Sequence, residues 1–69
     1  MTWNYRVVEM INGAESWLEI CEVYYEGDKP IGYCTVSVGE DSIQNLKSTL
    51  QRMTDCLNKP TLEKGTFNE

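Results

Sequence analysis

Few residues in this chain could do chemistry. Cys21, Cys34 and Cys56 are the only thiols, histidine is absent, and a set of carboxylates, Glu9, Glu15, Glu19, Glu22 and Glu26, occupies the first half. Without histidine, the usual general base, the commonest metal ligand and every Ser-His-Asp or Cys-His nucleophile are missing. A zinc site asks for four ligands in close sequence pairs, and three cysteines with no CxxC spacing do not provide them. Two of the glutamates could act as an acid/base pair only inside a cleft that separates their pKa values, which so small a protein seldom encloses. Neither GxGxxG nor GxxxxGK occurs, so no phosphate cradle is signalled. These residues predict a protein that is not an enzyme, with no catalytic residue, no cofactor and no metal. The thiols read as buried, reduced small hydrophobes, and a thiol-based redox or metal-responsive role is the chemical alternative.

The elements that must position these residues are short. From Trp3 to Ile11 the aromatic and β-branched run WNYRVVEMI reads as a strand, followed by the hairpin signal Asn12-Gly13. A second strand runs from about Ser16 to Tyr25 and ends at the turn cluster Glu26-Gly27-Asp28-Lys29-Pro30. A third covers Ile31 to Val38. Asp41 with Gln44 three residues on resembles a capping box, and Ile43, Leu46, Leu50, Met53 and Leu57 then recur on one helical stripe, predicted to pack onto the sheet. Asn58 and Pro60 stop the helix. The predicted fold class is therefore α+β, a three-stranded antiparallel meander followed by one C-terminal helix packed on one sheet face. It forms a single domain over residues 1–62, with a frayed tail over 63–69.

Register follows from the turns. A two-residue Asn12-Gly13 loop makes opposed residue numbers sum to 25, setting Arg6 against Glu19 and Val7 against Leu18. A second turn centred on Gly27-Asp28 makes them sum to 55, setting Cys21 against Cys34 and Tyr24 against Ile31. One face then carries Trp3, Tyr5, Val7, Leu18, Ile20, Tyr24, Ile31 and Tyr33. The other carries Val8, Met10, Trp17, Cys21, Val23, Tyr25, Cys34, Val36 and Val38. Both faces are apolar, and one helix can cover only one of them. The surplus predicts a partner surface or a homodimer interface, with Trp3, Tyr5, Trp17, Val23, Tyr25, Tyr33 and Val36 as candidate contacts.

Composition sets the kind of partner. The 69 residues form a domain that can bury only about 60% of its unfolded surface, and chains of this size often gain stability by association. Six Lys and Arg against eleven Asp and Glu give a charge of -5, which repels nucleic-acid backbones and anionic membranes. The expected partners are a second copy or another protein, with no direct nucleic acid, no membrane and no small-molecule substrate. The alternative is an acidic inhibitor in which Glu9, Glu15, Glu19, Glu22 and Glu26 imitate phosphates and block a nucleic-acid-binding protein. The N-terminus lacks a signal-peptide pattern, and the odd, widely spaced cysteines suit a reducing compartment, so a cytoplasmic location is expected.

The segments Trp3-Asn4-Tyr5-Arg6-Val7-Val8, Glu22-Val23-Tyr24-Tyr25-Glu26-Gly27-Asp28-Lys29-Pro30 and Lys59-Pro60-Thr61-Leu62 resemble a group of very short, acidic bacterial and phage-borne proteins. That group is similar over residues 3 to 62 and often carries histidine where this chain has Cys21. The resemblance implies the fold outline and a bacterial or mobile-element origin, and it brings no established activity.

Overall fold

The computed structural model describes residues 1–67. Its elements in chain order are β1 (Thr2–Asn12), β2 (Glu15–Glu26), β3 (Lys29–Thr35), α1 (Ile43–Cys56), β4 (Leu62–Glu63) and a 3₁₀ turn (Lys64–Phe67). The class is α+β, as the sequence predicts, but the sheet is mixed and has four strands in the order β3-β2-β1-β4. β4 pairs with β1 in parallel, Val8 against Leu62 and Glu9 against Glu63. The helix is therefore not terminal. It forms the connection that carries the chain from one sheet edge to the other, because β3 and β4 run in the same direction and parallel strands need a long crossover. The tail expected to fray from residue 63 instead supplies part of β4 and the 3₁₀ turn. Asn68 and Glu69, the end of that expected tail, lie outside the described residues.

The first hairpin turns one residue later than the Asn-Gly signal suggests. Asn12 pairs with Glu15, so the loop is Gly13-Ala14 and opposed residues are Arg6 with Cys21, Val7 with Ile20 and Val8 with Glu19. Gly13 has φ 64°, and among the described residues no non-glycine residue has positive φ. A type I′ turn would require Asn12 in the left-handed region as well, whereas a glycine leading the turn has the pattern of type II′. This correction moves the register by two and leaves every side chain of β1 and β2 on its expected face.

The β2–β3 pairing differs by one, which has the opposite effect. Tyr25 faces Pro30 but Tyr24 faces Gly32, so Ile31 is an extra residue in a bulge. Beyond it Val23 faces Tyr33, Glu22 faces Cys34 and Cys21 faces Thr35. The expected Cys21–Cys34 and Tyr24–Ile31 partnerships are therefore replaced. Tyr33 joins the face of Val23, and Cys34 moves to the face of Tyr24.

The core lies on the Val8 face. Val8, Cys21 and Val23 are fully buried, and Met10, Tyr25, Tyr33, Leu62 and Phe67 pack around them. The C-terminal 3₁₀ turn covers this cluster, with Phe67 4.9 Å from Tyr33 between ring centroids. The helix leans on β1. It is capped by Ser42 rather than Asp41: the Ser42 hydroxyl accepts from the Asn45 amide at 3.1 Å, while Asp41 accepts from the Asn45 side chain at 2.8 Å. Its last turn tightens into i→i+3 bonds ending at Lys59, just before Pro60.

Candidate functional site

The helix buries only the Leu46 and Met53 side of the stripe that its sequence suggests. The buried residues are Thr49, Met53 and Cys56, with Leu46 half-buried, so the inward face is rotated around the axis from the apolar one. Thr49 is accommodated there by donating to Glu40 Oε2 at 2.8 Å. Ile43, Leu50 and Leu57 are left 70%, 46% and 60% exposed, one every second turn along a single line. Leu57 ends this line at a hollow of about 240 Å³ shared with Val7, Leu18 and Ile20 from the sheet. Leu18 is itself 64% exposed. Helix and sheet thus present one continuous apolar band.

The seven residues predicted as interface contacts do not form a single surface. Val23 is at the centre of the core, Tyr25 and Tyr33 pack against it, and Val36 is half-buried beyond the end of β3. Trp17 is exposed near the Gly13-Ala14 turn and donates to Glu19 at 2.9 Å. Trp3 and Tyr5 lie toward the opposite end of the sheet, edge to face at 5.2 Å. The five candidate acids are divided as well. Strand alternation puts Glu9, Glu22 and Glu26 on the Tyr24 face, and Glu15 and Glu19 on the Val8 face.

The thiols occupy three separate environments. Cys21 is buried in the core, and burial together with Glu19 pushes its pKa up to about 11. Cys56 is buried under the helix, and burial raises it too, against the opposing pull of Arg6 and Lys59. Cys34 is exposed, 3.1 Å from the Tyr24 hydroxyl, which donates to Glu22 at 2.6 Å. Among the described residues no group of His, Cys, Asp and Glu is placed to hold a metal ion.

A cleft of about 420 Å³ opens where α1 meets β1, a feature the sequence did not signal. Trp3, Asn4 and Tyr5 line it from the strand, and Arg52, Asp55, Cys56 and Lys59 from the helix and its last turn. The Arg52 guanidinium lies over the Tyr5 ring, 5.7 Å from its centroid. Arg6 lies nearby, donating to the Tyr25 hydroxyl at 3.3 Å and to the Pro60 carbonyl at 2.7 Å. Asn4 Oδ1 and Arg6 Nε are buried without a hydrogen-bond partner among the described residues.

Among the described residues no helix is long and apolar enough to cross a membrane. Comparison with family models, with curated proteins and with solved structures returns no match.

Proposed function

We propose that the protein is a small cytoplasmic, non-enzymatic interaction module that associates with a second copy of itself through the apolar band on its helix. The observation that carries this reading is the exposure of Ile43, Leu50 and Leu57 in one line that meets Leu18. A solvated helix face is normally polar, and a line of large aliphatic side chains in water favours association. Of the residues alongside the band, Gln44, Gln51, Thr54 and Asn58 are uncharged and Lys47 is cationic, so no acid flanks it. Two chains of charge -5 can therefore approach here without opposing their carboxylates. A two-fold axis at Leu50 would set Ile43 against the partner subunit's Leu57 and make the contact self-complementary.

The band is smaller than the roughly 800 Å² per partner of a standard interface, so the association is expected to be weak. Sedimentation from micromolar to millimolar concentration should show the 7.9 kDa species giving way to one of twice that mass. Leu50→Glu should keep the helical circular dichroism and remain monomeric throughout. A wild-type chain that stays monomeric at millimolar concentration, or a Leu50→Glu variant that still dimerises, would overturn the reading.

A further inference from the structure

The cleft between α1 and β1 has the make-up of a ligand site. The chain carries only six Lys and Arg against eleven acids, yet three of the six, Arg6, Arg52 and Lys59, are gathered at or beside this cleft. The side chains of Arg52 and Lys59 have no carboxylate partner among the described residues. Asp55, the one acid in the lining, is engaged by the Gln51 amide at 2.9 Å. The opposite wall is aromatic, with Trp3 half-exposed and set edge to face against Tyr5. The volume is within the range of small-molecule pockets.

From this combination we infer that the cleft binds a small planar ring carrying an oxyanion. The ring packs on Trp3, and the oxyanion is held by Arg52 and Lys59. The net charge of -5 does not prevent this. Exposed charges more than about 8 Å away are largely screened at physiological salt, which leaves the wall itself, two cations against Asp55, with a net positive charge. The site is independent of the proposed dimer, because Arg52 and Leu50 lie on opposite sides of the helix.

The test is a titration of the full chain followed by two-dimensional NMR, with adenosine 5′-monophosphate and 4-hydroxybenzoate as probes of phosphate and carboxylate sources. Adenosine and inorganic phosphate serve as controls lacking one half of the ligand. Saturable shifts centred on the Trp3 indole N–H and the Arg52 side chain, with at least one complete probe binding about tenfold more tightly than either control, are expected. Lys59→Gln, an exposed substitution that leaves the core untouched, should weaken that binding about tenfold. The inference fails if neither probe gives saturable shifts at these residues, if inorganic phosphate binds as well as the complete probe, or if Lys59→Gln changes nothing. Because the wild-type shift map needs no variant, a misfolded variant cannot obscure the result.

Discussion

The Tyr24 hydroxyl lies 3.1 Å from the Cys34 sulfur, across two neighbouring strands whose ladder sets Tyr24 opposite Gly32 and Cys34 opposite Glu22. The contact is diagonal, and it exists because the bulge at Ile31 turns Cys34 onto the Tyr24 face. The same turn puts Cys34 on the opposite side of the sheet from Cys21, which rules out the cross-strand disulfide that an unbulged register would allow. Cys34 should therefore be the one thiol open to modification. Iodoacetamide at pH 8 is expected to add a single adduct to the native protein, mapped to Cys34, and three adducts in strong denaturant. Rapid native labelling of Cys21 or Cys56 would show that the core opens far more readily than its burial implies.

Alkaline pH should weaken the fold. Cys21 keeps its proton in the folded state up to about 11, against an ordinary value of 9.0. Between these values the unfolded chain has lost a proton that the folded chain retains, so unfolding is favoured as pH rises. Cys56, raised by burial, acts in the same direction. So does Tyr24, whose hydroxyl is held above its usual range by the Cys34 thiol and the Glu22 carboxylate. Urea midpoints should be level up to about pH 8 and fall steadily from pH 9 to 11. Cys21→Ala should flatten part of that fall at the cost of a lower midpoint at pH 7, and an unchanged slope would remove Cys21 from the account.

What the sequence made legible follows from how far each signal reaches. β1, β2 and the first hairpin were readable because alternation and a glycine turn act over a few residues. The choice between Asn12-Gly13 and Gly13-Ala14 was not, because both place a glycine in the turn and both keep Val8 and Val23 on one face. Ile31 gave no sign of a bulge, yet that single residue decides where Tyr33 and Cys34 point. The two residues of β4 are too short for any periodicity, and only the tertiary pairing of Leu62 with Val8 defines them. The helix was found but turned. Counting apolar residues favours Ile43, Leu50 and Leu57, while the buried face uses the small Thr49 and Cys56, whose hydroxyl and thiol tolerate close approach to β1. The cleft was illegible for the same reason, since Asn4 and Lys59 meet only after the crossover is made.

The glycines should separate by conformation. Gly13 and Gly27 have φ of 64° and 62°, where a side chain costs about 1–2 kcal/mol, although an added Cβ would meet nothing within 4 Å. Gly32 has equal room without the positive φ. Gly13→Ala is therefore expected to lower stability by about 1–2 kcal/mol in urea unfolding, and Gly32→Ala to leave it within about 0.5 kcal/mol. Equal losses at both positions would mean that the bulge, not the turn, sets the cost.

The C-terminal 3₁₀ turn should act as part of the core. Phe67 packs on Tyr33 and on the Val8–Cys21–Val23 cluster, closing the face that α1 leaves open. A fully buried phenylalanine is worth about 3–5 kcal/mol, and a half-buried one at a chain end about 1–3 kcal/mol. In a domain of this size that corresponds to a melting temperature lower by roughly 5–20 °C. Phe67→Ala and truncation after Glu63 should produce similar losses, because Gly65 and Thr66 are exposed. Thr66→Ala, at an exposed neighbour, serves as the control and should melt with the wild type. If truncation leaves the melting temperature unchanged, the cluster is closed without Phe67, and the covered face reverts to a second exposed apolar surface. Dimerisation of the truncated chain that survives Leu50→Glu would then identify that face as the interface.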